Sequence, residues 1–97
     1  MKKYDLQERL IDFAVAIINI TKEVESSKAG NHLVGQIIRC GSSPSLNYSE
    51  AQSAESRNDF IHKMSIVLKE LRETFSCLKL LNGQDYIKRS MVKLPKL

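Results

Sequence analysis

The chain has no tryptophan, two prolines, four glycines, two cysteines and six aromatic residues among its 97. So little proline and glycine excludes collagen-like and low-complexity architectures, and no internal repeat replaces them. Cys40 and Cys77 form no CxxC or ligand-like spacing, which excludes a disulfide framework and predicts two reduced thiols. Long hydrophobic runs are also missing. The longest uncharged stretches, over 13–21, 29–38 and 40–49, are about half a membrane span. Lys2 and Lys3 could open a signal peptide, but Asp5, Glu8, Arg9 and Asp12 interrupt the apolar segment it would need next. These features predict a cytoplasmic protein with no membrane partner. What remains is ordinary globular composition, 42% hydrophobic and 27% charged, and residues 1–97 are expected to form one domain around a single core.

The net charge of +4 is unevenly placed. Residues 1–78 hold ten basic and ten acidic residues, whereas 79–97 hold Lys79, Lys88, Arg89, Lys93 and Lys96 against Asp85 alone. Such a tail attracts a polyanion with an affinity that falls as salt rises. The competing reading is a solvated basic end that aids solubility.

Helical periodicity dominates, and strand alternation is absent. Asp5 followed by Glu8 resembles a capping box and begins a first helix over about 5–26. Leu6, Leu10, Phe13, Ile17, Ile20 and Val24 recur at spacings of four and three, one apolar stripe along five turns. A second helix is expected over about 27–53, with Leu33, Ile37, Cys40, Pro44, Tyr48 and Ala51 in line. Pro44 cannot donate to the Cys40 carbonyl, so a bend or interruption is expected between Cys40 and Leu46. Serines 42, 43 and 45 can bond freed backbone groups, and a loop over 41–45 is the alternative. Ser56 and Asp59 have capping-box spacing ahead of a third helix over about 56–82. Its stripe runs through Phe60, Met64, Val67, Leu71, Leu78 and Leu81, with Thr74 in one slot and Ile61, Leu68 and Phe75 widening it. Asn82-Gly83 stops it. A fourth helix over about 84–94 carries Ile87, Met91 and Leu94 on one face. Short connections then give an all-α, antiparallel up-down-up-down four-helix bundle. The fourth helix, about 15–18 Å long, is too short to cover the whole groove left by the others.

Several motifs resemble those of the bacterial four helix bundle protein family, named for proteins encoded in intervening sequences of 23S ribosomal RNA genes. They are Arg39, Ser43, Asn47-Tyr48, Glu50-Ala51, then Ala54-Glu55-Ser56-Arg57, Asp59-Phe60-Ile61-His62-Lys63, and Lys69-Glu70 with Arg72-Glu73-Thr74. The family includes the accessory protein of diversity-generating retroelements. The resemblance implies an antiparallel four-helix bundle, a second helix continuing through 47–50, a homo-oligomeric ring such as a pentamer, and no enzymatic activity. It also implies that nucleic acid (RNA or DNA) and a reverse transcriptase are candidate partners. Two departures stand out. Pro44 lies one position earlier than the family's usual proline, and relatives usually carry a longer last helix.

Residue chemistry agrees with a non-catalytic reading. There is no Gly-rich phosphate loop and no HExxH or EF-hand spacing. A di-iron bundle needs Glu-x-x-His pairs, and the chain has none. The one acid–His pair at i,i+3 is Asp59–His62. His32 and His62 with Cys40 and Cys77 lack zinc-site spacing. No metal or cofactor is therefore expected. Asn47 and Glu50 are polar residues on an otherwise apolar helix. They either contact a ligand such as RNA, or form a helix–helix hydrogen-bond set with Glu50 on Arg39 or Arg57 and Asn47 bridging a kinked backbone. The basic residues lack interleaved aromatics, so no base-stacking platform is expected.

Two apolar seams exceed what one bundle needs. Ile11, Val15 and Ile18 lie about 120–180° around the first helix from its main stripe. Ile66, Cys77 and Leu80 lie about 100–160° from the stripe of the third. They predict self-association. The competing reading packs one seam against a neighbour inside the bundle. The function expected is that of a non-catalytic, self-associating interaction protein that binds nucleic acid through basic surface residues. The alternatives are a protein–protein adaptor and a small metal-binding bundle enzyme.

Overall fold

A computed structural model describes residues 5–83. They form three α-helices: α1 (Leu6–Thr21), α2 (Lys28–Gln52) and α3 (Arg57–Gly83). No strand occurs among the described residues. The expected fourth helix over 84–94 lies outside them.

Each helix begins where a side chain satisfies a free backbone N–H. Asp5 is extended and its carboxylate accepts from the Glu8 N–H at 3.2 Å. Ser27 is extended too and accepts from Gly30 N–H at 2.9 Å. At α3 the cap is two-way: Ser56 Oγ accepts from the Asp59 N–H (3.0 Å), and the Asp59 carboxylate accepts from the Glu55 N–H (3.3 Å). Such caps are each worth about 0.5–2 kcal/mol. Helix α1 ends sooner than its apolar stripe. After Thr21 the backbone tightens into i→i+3 bonds, with Glu23 N–H on Ile20 O and Val24 N–H on Thr21 O. Val24 still packs on the core.

Helix α2 runs through Pro44 without interruption, so the loop alternative over 41–45 is not adopted. Hydroxyls and an amide serve the backbone around the proline. Ser42 Oγ donates to Ile38 O (2.6 Å), Ser45 Oγ to Ser42 O (3.0 Å), and Asn47 Nδ2 to Ser43 O (3.0 Å). Pro44 itself is buried, where its ring adds apolar contact.

Neighbouring helices are antiparallel. Gln7 of α1 donates to Ser45 O and accepts from Ser49 Oγ near the end of α2. Further along, α1 comes so close to α2 that a Cβ on Gly41 would lie 2.7 Å from Ile17 Cγ2. Glycine is required there by this approach, not by backbone conformation. The main core lies where α1 ends, α2 begins and α3 ends. Phe13, Ile17, Ile20, Ile37, Leu78 and Leu81 are buried there, with Val24, Leu33, Leu71 and Cys77 packed against them. Burying each large side chain contributes about 1.5–3 kcal/mol.

The buried stripe of α3 keeps Val67, Thr74, Leu78 and Leu81 of the expected one but adds Glu70 and leaves Phe60 out. It consists of Val67, Glu70, Thr74, Leu78 and Leu81, while Phe60, Ile61, Leu68 and Phe75 are exposed. The reason is tertiary. Helix α3 packs chiefly on α2, and Glu70 and Thr74 can be buried there because both have partners. The Thr74 hydroxyl donates to Glu70 O at 2.7 Å, and Glu70 meets Arg39. Towards its N-terminal half, α3 stands apart from α1. Leu6 and Leu10 of α1 face Met64, Val67, Leu68 and Leu71 across an apolar groove of ≈ 350 Å³.

Candidate functional site

The polar motif residues build the joint between α2 and α3. Arg39 Nη1 donates to the buried Glu70 carboxylate at 3.0 Å, and Nη2 to Glu73 at 2.9 Å. One guanidinium thus spans two carboxylates one turn apart, the fork geometry that distinguishes arginine from lysine. The Glu73 hydrogen bond, then the Glu70 charge, hold the Arg39 pKa above its ordinary value. Lys63 Nζ lies 2.9 Å from Glu50 Oε1, and this hydrogen bond raises the Lys63 pKa. Glu50 therefore pairs with Lys63, not with Arg39 or Arg57 as the sequence suggested. The antiparallel register is the cause: it sets Arg39 level with the 70–73 turn and Glu50 level with Lys63. Lys63 reaches across to α2, while Asp59, its neighbour one turn back, is used in the cap. Asn47 serves its own helix through Ser43, whose hydroxyl also accepts from it at 2.8 Å. Arg57 is exposed at the start of α3.

The apolar seams divide. Ile11, Val15 and Ile18 are all exposed, at 45%, 51% and 40%. Ile38 of α2 is exposed too, and the Gln7–Ser45 and Ile17–Gly41 register sets it beside Ile18. On α3, Leu80 is exposed but Ile66 and Cys77 are half-buried. Cys77 packs on the core of its own chain, so that part of the expected seam is covered from within. Burial, with the adjacent Cys40 thiol, pushes the Cys77 pKa up. A different α3 seam is open. Ile61, Met64, Leu68, Leu71 and Phe75 follow a 3,4,3,4 spacing along the groove facing α1. Of these, Ile61, Leu68 and Phe75 are exposed, and Phe75 meets Phe13 of α1 with ring centroids 5.9 Å apart.

Of the basic residues singled out in the tail, Lys88, Arg89, Lys93 and Lys96 lie outside the described residues. Lys79 is exposed on the last turns of α3. It ends a line that the charge count along the sequence missed. His62, Ser65, Lys69, Arg72, Ser76 and Lys79 recur at 3,4,3,4,3 and are all exposed. At 100° per residue they occupy one 100°-wide face, roughly opposite the buried stripe. Lys69, Arg72 and Ser76 border a shallow hollow of ≈ 340 Å³ with Glu73 and Cys77. Glu73 is held by Arg39. None of Lys69, Arg72 and Lys79 forms an ion pair among the described residues. Summing charge over 1–78 to zero concealed this face, whereas a wheel of α3 alone displays it.

His32 and His62 are both exposed. Among the described residues no three His, Cys, Asp or Glu side chains gather as a metal ion requires, and no helix is long and apolar enough to cross a membrane.

Comparisons with known proteins agree with this architecture. The model of a family described as 23S rRNA-intervening sequence protein matches residues 2–95. A crystal structure from Bacteroides thetaiotaomicron VPI-5482 is 38% identical in sequence and superposes with a TM-score of 0.81, covering 90% of this chain and 81% of that one. It is described as a protein with unknown function from the S23 ribosomal protein family. No curated protein matches the sequence.

Proposed function

The chain belongs to the 23S rRNA-intervening sequence protein family, and from that premise we propose that it is a non-catalytic interaction protein that self-associates and binds nucleic acid through basic surface residues. One observation carries the reading: α1 has an apolar line, Ile11, Val15 and Ile18, on the face turned away from its own core, with each residue at least 40% exposed. Scattered exposed apolar residues are normal, but a contiguous line on an outward face is the mark of an interface. The occupant is a second copy of the chain, in a closed ring such as a pentamer. Residues 84–94, with Ile87, Met91 and Leu94 on one face, supply a short fourth helix. This completes the up-down-up-down bundle. Nucleic acid is held by Lys79 and the basic tail, chiefly through phosphates, so its sequence is read weakly. The compartment is the cytoplasm, and no metal or cofactor takes part.

Light scattering at micromolar concentration tests the assembly. The unmodified protein should run as an oligomer, and Val15→Glu should release a monomer that is still helical by circular dichroism. A monomeric unmodified protein overturns the self-association. Retention on immobilised RNA that declines with salt separates this reading from a protein–protein adaptor, which would not be retained.

A further inference from the structure

We propose that the outward face of α3, from His62 to Lys79, is a docking surface for the sugar–phosphate backbone of double-stranded RNA. The inference rests on the nucleic-acid half of the proposed function and assigns it a surface, a ligand class and a mode of contact.

The face is long and polar from His62 to Lys79. From His62 to Lys79 the helix rises about 26 Å, with a side chain of the line every 4.5–6 Å or so. Lys69, Arg72 and Lys79 supply three positive charges that no carboxylate neutralises among the described residues. The nearest carboxylates on the same helix, Glu70 and Glu73, are both drawn to Arg39 on the other side. Glu70 is thus held inward, and Glu73, though it borders the same hollow as Lys69 and Arg72, has its carboxylate engaged by Arg39. No aromatic ring lies on the line, so unpaired bases find nothing to stack on, and a single strand is the poorer ligand. A duplex that offers only its backbone is the better one.

One hydroxyl on the face suits RNA better than DNA. Ser65 Oγ commits its proton to the His62 carbonyl at 2.7 Å. What it presents to solvent is a lone pair. A phosphate oxygen, which can only accept, has no use for that. A ribose 2′-hydroxyl can donate to it, and DNA has none. The deep major groove of an RNA duplex is closed to side chains, so backbone and 2′-hydroxyl contacts are what remain for a protein to use.

The test measures fluorescence anisotropy of a labelled 20-base-pair RNA duplex with the full-length protein across a salt series. Three phosphate contacts per chain give a log–log slope of about −2.7, a loss of about 40-fold between 50 and 200 mM salt. Replacing Lys69, Arg72 and Lys79 together with alanine should flatten the slope by about that amount. Because all three are exposed, circular dichroism and light scattering should be unchanged. Ser65→Ala should narrow the preference for the RNA duplex over a DNA duplex of the same sequence without changing the slope. Three results would overturn the proposal, and each says something different. If the triple variant binds as the unmodified protein does, while Lys88→Ala with Arg89→Ala and Lys93→Ala abolishes binding, the tail holds the nucleic acid and only this surface fails. Equal affinity for the DNA duplex, or tighter binding of a single strand, removes the RNA-duplex assignment. If the unmodified protein binds no nucleic acid at 50 mM salt, the wider reading fails with it.

Discussion

The two halves of the space between α1 and α3 are made of similar residues and end up differently. At the closed half, Phe13, Ile17 and Ile20 of α1 meet Leu78 and Leu81 of α3, with Ile37 of α2 between them, and all are buried. At the open half, Leu6 and Leu10 face Met64, Leu68 and Leu71 across a groove. Hydrophobicity does not distinguish the halves. What differs is how much apolar side chain α2 adds. Near its start α2 brings Leu33 and Ile37 into the wedge. Further along, its inner face holds Pro44 and Ser45, while Ser49 turns to Gln7 of α1 and Glu50 to Lys63 of α3. There Leu10 and Val67 are still buried, but the outer edge, Ile61 and Leu68, stays exposed. An apolar pair of faces is therefore a core or a groove according to its neighbours.

The largest test removes the residue that links the halves. Phe13 is fully buried and touches Phe75 on the open side. Phe13→Ala should cost about 3–5 kcal/mol, read as a fall in the urea midpoint at constant slope. A cost below about 1 kcal/mol would show that the closed half is not the main core. A smaller loss is expected from Gly41→Ala. The new methyl would meet Ile17 Cγ2 at 2.7 Å, and a β-branched side chain locked in the core has little room to yield. About 1–3 kcal/mol should be lost, and the added cost should shrink in an Ile17→Ala background, which removes both γ carbons that the new methyl meets.

The open half is probed by Leu68→Ala. Leu68 is 49% exposed among the described helices. Facing an open groove, the substitution should change stability by no more than about 0.5 kcal/mol. A loss of about 1–2 kcal/mol would show that the groove is covered in solution. The smallest effect concerns pH. Burial raises the Cys77 pKa in the folded chain above the ordinary thiol value of 9.0. A raised pKa means the folded state holds the thiol proton more tightly than the unfolded state does. The associated stability is complete below pH 9 and is lost as pH climbs through the folded value. Thermal melts should fall more steeply above pH 9 for the unmodified protein than for Cys77→Ala. Parallel declines would show that the thiol is open to water.

Much of this was legible in order of locality. Asp5, Ser27 and Ser56 marked helix starts because a cap involves only three or four consecutive residues. The stripe Leu10, Phe13, Ile17 and Ile20 marked the buried face of α1 because one period fits it and nothing else competes. Helix α3 was harder. It carries three lines at heptad spacing: Val67, Glu70, Thr74 and Leu81; Ile61, Met64, Leu68, Leu71 and Phe75; and His62, Lys69, Arg72 and Lys79. The expected stripe mixed the first line with Met64 and Leu71 of the second and passed over Glu70. Glu70 is buried nonetheless, because Arg39 of α2 makes it tolerable inside and Thr74 bonds its own backbone. That exchange cannot be seen in α3 by itself.

The sequence alone thus determined the helical class of the described residues, the starts of their three helices within a residue or so and the inner face of α1, while the first helix ended at Thr21, five residues before the expected 26. Each depends on contacts within a turn or two, where spacing and side-chain type suffice. Tertiary structure decided that Glu70 joins the inner face of α3 while Phe60 stays exposed, that Glu50 pairs with Lys63 while Arg39 takes Glu70 and Glu73, and that Cys77 belongs to the core. The reason is that partners more than ten residues apart meet only through the register of packed helices. The Gly41–Ile17 approach and the Arg39 fork belong to that register, and no local pattern encodes them.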